Sequence, residues 1–159
     1  MNKITDGLFF SLFTSNFAAA NEKLRNYYNL HICIGLDKIK VRQNRMKLKD
    51  IALILNAEVI CGQTRLEREV EAVFASDLMS DVLTIDSEKL LLLTGLVNIQ
   101  TIRTSEMSDI KNIVLVRNKK ASPEMIALAE ENRIVIMECS YSMYKACGLL
   151  FEKGINPVY

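Results

Sequence analysis

The side chains with the most chemical potential cluster between Ser76 and Thr104. Asp77 and Asp81 are spaced i, i+4, so a helix through them sets both carboxylates on one face, with Ser80 beside them. That pair could share a magnesium ion or accept a ligand's hydroxyls. The alternative is that Ser76 or Asp77 caps the helix while Asp81 stays solvated. Thr94 and Gly95 follow a run of leucines, and a helix starts near Asn98. The combination could hold an anion on the first amides of that helix, or be a plain strand-to-helix turn. Arg103 and Thr104 lie one to two helical turns further in. Arg103 suits a bidentate contact to phosphate or carboxylate, or equally a surface ion pair. Ser140 and Tyr141 could pin a ligand ring, or serve as a helix cap and a packed aromatic. Together these residue types suit recognition of a small anionic ligand.

Covalent chemistry finds less support. Cys61, Cys139 and Cys147 have no histidine nearby in sequence to activate them, because the one histidine is His31. The same shortage argues against zinc. None of the four cysteines forms a Cys-x-x-Cys pair, so they read as buried free thiols in a reducing cytosol. No Gly-x-x-x-x-Gly-Lys-Ser/Thr string is present to cradle a triphosphate. We therefore assign no catalytic residue, metal ligand or cofactor from sequence. Metal-assisted hydrolysis through Asp77 and Asp81 ranks below the binding readings.

The elements that must position these residues begin at Met46. Residues 1–45 show no sustained period and read as an N-terminal extension, with seven Lys/Arg against three Asp/Glu. Residues 46–159 carry thirteen against sixteen and read as one domain. Lys47 to Leu55 reads as a helix, with Leu48, Ile51, Ala52 and Leu55 on one face and Asn56 closing it. Glu58 to Cys61 is a short strand, and Glu69 to Ala75 alternates as a half-buried strand. Leu90 to Leu93, Asn112 to Val116 and Ile134 to Met137 are apolar runs suited to strands buried on both faces. Ser122-Pro123-Glu124 starts a helix between the second and third runs. The last helix is capped by Ser140 or Ser142 and stopped by Gly154, with Tyr144, Cys147 and Phe151 on one face. Strands alternating with helices imply a three-layer α/β sandwich around a small, mostly parallel sheet. Ligands in such sheets bind beyond the carboxyl ends of strands. Thr94, Gly95, Asn98, Arg117, Ser140 and Tyr141 all fall there.

Half of the 159 residues are hydrophobic, enough for a core. No apolar run reaches bilayer length and no signal peptide is evident, so we expect a cytoplasmic protein without a membrane partner. The acidic balance of residues 46–159 gives no footprint for nucleic acid.

Three stretches in order carry a family resemblance: Ser76-Asp-Leu-Met-Ser-Asp-Val-Leu, Leu93-Thr-Gly-Leu-Val-Asn-Ile-Gln-Thr-Ile-Arg-Thr-Ser-Glu-Met and Tyr141-Ser-Met-Tyr-Lys-Ala-Cys-Gly-Leu-Leu-Phe. From about Met46 to Ile155 the chain resembles stand-alone DRTGG domain proteins, although the string Asp-Arg-Thr-Gly-Gly itself is absent. The resemblance implies a fold similar to the N-terminal domain of HPr kinase/phosphorylase, without that enzyme's kinase activity. It also implies a homodimer and regulation by a bound ligand such as an adenine nucleotide. It further implies an association with hydrogenase-type redox metabolism in anaerobes. The alternative function is an adaptor for a redox enzyme complex with no small ligand.

Overall fold

The computed structural model describes residues 45–85 and 87–159. The expectations for the N-terminal extension and its boundary therefore lie outside the described residues. Strand β1 (Met46–Lys47) leads into helix α1 (Leu48–Leu55). β2 (Glu58–Cys61), β3 (Glu69–Val70) and β4 (Ala72–Ala75) follow, and a short helix α2 (Met79–Val82) precedes β5 (Leu90–Thr94). The remainder is α3 (Ile99–Met107), β6 (Asn112–Leu115), α4 (Pro123–Glu131), β7 (Val135–Glu138), α5 (Met143–Glu152) and β8 (Asn156–Pro157).

Six strands form one sheet in the order β2-β7-β6-β5-β4-β8. Every neighbouring pair is parallel except β2 with β7. The expected three-layer sandwich with a mostly parallel sheet is what the chain forms. Its cause is visible in β5, where Leu90 to Leu93 are all buried and successive side chains point to opposite faces. Leu91 and Leu93 pack with Leu48, Ile51 and Leu55 of α1 and with Ala146 and Leu150 of α5. Leu90 and Leu92 pack with Val82, Ile102 of α3, and Met125 and Ala129 of α4. Each fully buried leucine contributes about 2 kcal/mol by removal from water, so this strand needs a helical layer on both sides.

Local signals end the elements where the sequence places them. Asn56 closes α1 in the left-handed region at φ 46°. The Ser122 side chain accepts a hydrogen bond from Met125 N, and Pro123 takes the first turn of α4, where a missing N–H costs nothing. Ser142, not Ser140, caps α5 by accepting from Lys145 N. One expectation changes. The stretch from Glu69 to Ala75 is two strands, because Glu71 N donates sideways to Lys89 O and β3 pairs with β1 in a separate two-stranded ribbon. The face of α5 carrying Tyr144 and Phe151 points outward, and the buried face is Ala146 and Leu150. An apolar triplet at helical spacing cannot say which side meets a sheet when small alanine sits on the other.

Candidate anion site at the strand ends

β4, β5 and β6 end side by side, and the segments leaving them meet over Gly95. Asp77, two residues past β4, reaches across to β5. Its Oδ1 accepts from Gly95 N at 2.6 Å and from Thr94 Oγ1 at 3.0 Å. Its Oδ2 takes the Arg117 guanidinium at 2.5 Å from Nη2. Three donors from two loops thus converge on one carboxylate. Partial burial works to raise the Asp77 pKa, but the bonds from Gly95 N, Arg117 and Thr94 outweigh it and hold the carboxyl below its ordinary value.

The glycine leaves the room that Arg117 occupies. A Cβ at Gly95 would overlap the Arg117 guanidinium, which lies directly over the main chain there. Because the obstacle is the end of a flexible side chain, a larger residue would displace Arg117 rather than strain the backbone. Arg117 itself is held in an unusual way. Arg117 and Asn118 both adopt left-handed backbone, at φ 62° and 55°. Each such non-glycine residue costs about 1 kcal/mol or more, and it persists only where neighbours fix it. Here Arg117 N donates to Tyr141 O at 2.7 Å and Asn118 N to Cys139 O at 3.0 Å. The far end of the same loop is fixed by Glu138, whose side chain is buried. It accepts from Ala121 N at 2.7 Å and pairs with Lys120 Nζ at 2.6 Å. The loop exposes Arg117, Lys119 and Lys120, and of these Arg117 is the one that reaches the Gly95 turn.

The structure brings Asp77, Thr94 and Gly95 together and leaves other candidates apart. Asp77 precedes α2 instead of lying in it, so Asp77 and Asp81 do not share a helix face. Asp77 also does not cap α2; Ser76 makes a local turn by accepting from Leu78 N. Ser80 and Asp81 are exposed on α2. Asn98 spends its carboxamide oxygen as the cap of α3, accepting from Thr101 N at 3.0 Å. Arg103 is exposed and Thr104 buried on α3, and neither joins the bonded group around Asp77. Tyr141 contributes its carbonyl, while Lys145 Nζ lies 3.6 Å from its ring centroid and covers one face. Ser140 is exposed beside it. Sequence reasoning placed Arg117 past a strand end but did not single it out. Its signal is a basic residue in a glycine-free turn, which becomes meaningful once the turn is known to be left-handed.

No group of three or more His, Cys, Asp or Glu residues that could hold a metal occurs among the described residues. Cys61, Cys139 and Cys147 are free thiols, and burial pushes those of Cys61 and Cys147 up. No helix among the described residues is long and apolar enough to cross a membrane.

Comparison with known proteins supplies a fold. No family model matches the chain, and no curated protein does. Among solved structures, the chain is similar to one of the CBS and DRTGG domains of the regulatory region of Clostridium perfringens pyrophosphatase. That protein is complexed with its activator, diadenosine tetraphosphate. The likeness has a TM-score of 0.56 at 18% identity, covering 65% of this chain and 45% of that one. This chain therefore matches less than half the length of that regulatory region. The likeness supports a DRTGG-like fold.

Proposed function

We propose that the domain is a non-catalytic regulatory module that binds a small anionic ligand, of the adenine nucleotide class, over the Gly95 turn. The observation that supports it is the convergence of Gly95 N, Thr94 Oγ1 and Arg117 on one carboxylate. Those donors are the ones a phosphate oxygen needs: a main-chain amide near a helix start, a hydroxyl and a guanidinium. In this reading the ligand's phosphate takes the place of the Asp77 carboxylate, and α3, capped at Asn98, adds the favourable end of its dipole. Release of Asp77 from Gly95 and Arg117 uncouples the segment after β4 from the loop after β6, which is how occupancy would be signalled. The activator-bound pyrophosphatase region lends the ligand class, and the resemblance alone lends a redox partner.

Calorimetric titration of the full chain with inorganic phosphate, AMP, ATP and diadenosine tetraphosphate tests the proposal. Saturable binding is expected, weakened about tenfold or more by Arg117→Ala, the scale of a lost charged hydrogen bond. Absence of binding by all four at millimolar concentration overturns it. So does binding that is indifferent to Arg117→Ala.

A further inference from the structure

Arg68, in the segment before β3, is a half-buried guanidinium whose bonds go to main chain. Its Nη1 donates to Arg133 O at 3.0 Å and to Lys111 O at 3.5 Å. A guanidinium carries five N–H donors, and two carbonyls leave both its charge and its remaining donors unmatched. Burial first, then the charge of Arg65, hold the Arg68 pKa below its ordinary value, and Glu88 works against them. A cation held partly out of water with no carboxylate beside it is costly, so its position calls for an anion.

Arg68 lines a cleft of about 580 Å³ at the amino ends of β5, β6 and β7, the opposite end of the sheet from the Gly95 turn. That volume lies within the usual range for small-molecule sites, about 300–1,000 Å³. Most charges around the cleft already have partners. Glu69 pairs with Arg45, Lys89 with Glu71, and Lys111 with Asp109. Arg68, Arg133 and Glu88 line the cleft without an ion pair among the described residues. Helices α3 and α4 also end here. Each closes on a left-handed residue that lines the cleft, Asp109 at φ 52° and Arg133 at φ 57°. Ile110 N returns to Ser105 O and Ile134 N to Ala129 O, both at 2.8 Å. The negative ends of both helix dipoles therefore border the cleft.

We propose that this cleft binds a free α-amino acid, with its α-carboxylate on Arg68 and Arg133 and its ammonium toward Glu88. The unmatched charges select a zwitterion. A simple anion would meet Glu88 and the negative helix ends, and a simple cation would leave Arg68 as unmatched as before. The planar fork of a guanidinium suits a carboxylate in particular, which it can hold through two parallel bonds. Because β5 separates this cleft from the Gly95 turn, the site stands or falls independently of the anion site there.

Calorimetric titration of the full chain with L-glutamate, L-alanine, glutarate and ethylamine tests the proposal. Both amino acids are expected to bind saturably at millimolar concentration or below. Glutarate, which lacks the ammonium, and ethylamine, which lacks the carboxylate, are expected to bind at least tenfold more weakly. Arg68→Lys keeps the charge but loses the fork, and is expected to weaken amino-acid binding about tenfold or more. Glu88→Gln is expected to do the same, and because its side chain is exposed and unpaired it should leave the melting temperature unchanged. No saturable binding of either amino acid overturns the proposal. Glutarate binding as tightly as L-glutamate makes the cleft a plain anion site and overturns it as well. So does amino-acid binding that is indifferent to Glu88→Gln, or that is lost with Arg117→Ala, which would place the ligand at the other end of the sheet.

Discussion

Replacing Asp77 with asparagine should move stability and ligand affinity in opposite directions. Asparagine keeps an oxygen for Gly95 N and Thr94 Oγ1 but removes the charge facing Arg117. The two side chains are 41% and 46% exposed, so water screens their attraction. Exposed pairs of this kind are worth about 0.2–1 kcal/mol. The domain should lose no more than about 1 kcal/mol at pH 7, or about 6 °C in Tm for its size. A phosphate then no longer has to displace a carboxylate, so its affinity should rise by up to the same amount, about fivefold. The pH dependence follows from the lowered Asp77 pKa. A carboxyl depressed in the folded state contributes stability that is present above its unfolded value of about 3.9. That contribution is lost as pH falls through the folded value. Urea melts of parent and Asp77→Asn should therefore differ at pH 7 and converge as pH falls through the folded value. Parallel phosphate titrations at pH 7 supply the second arm. Equal or weaker phosphate binding by Asp77→Asn, with Arg117 unchanged, would refute the competition on which the proposed function turns. A stability gap that survives at low pH would show that Asp77 acts through something other than its charge.

The remaining predictions concern the scaffold. Leu92→Ala should cost about 2–5 kcal/mol in urea melts, since this fully buried side chain leaves a cavity between β5 and the layer of α3 and α4. Gly62→Ala should cost more than about 1 kcal/mol. Gly62 has φ 80°, and an added Cβ would sit 2.8 Å from Val135 Cγ2. Residues 43–159, the second compact unit of the chain, should fold alone, with a Tm within about 10 °C of the full chain by circular dichroism.

What could be read from the sequence follows the range of each signal. The four leucines of β5 announce a doubly buried strand because burial on both faces removes any polar alternation. Ser122-Pro123 and Asn56 announce helix ends because capping is decided within four residues. The clasp was only half legible. Asp77 reads locally as a cap, and its actual partner Arg117 is 40 residues away in another loop, joined to it only by the parallel pairing of β4, β5 and β6. The outward turn of Tyr144 and Phe151 was illegible for a related reason. Hydrophobic spacing marks a face as apolar, but whether that face meets the chain's own sheet or another molecule is set by topology. β8 escaped notice because two residues carry no period.

The strand order has a kinetic consequence. β4, β5, β6 and β7 are neighbours in sequence as well as in space, and partners such as Ala72 with Leu90 and Leu91 with Asn112 are separated by short crossovers. By contrast, β8 closes against β4 through Ala72 and Asn156, and β2 against β7 through Glu58 and Glu138, across most of the domain. Loop closure over that distance is entropically slower and is rewarded by few bonds. The central four strands with α3 and α4 should therefore form the folding nucleus, and the two outer strands should dock late. Mutations at Leu92 or Ile113 would slow folding, whereas changes in Val59 or Asn156 would mainly speed unfolding. In the native state the outer strands, including the C-terminal one beside α5, should open first and exchange their amides soonest.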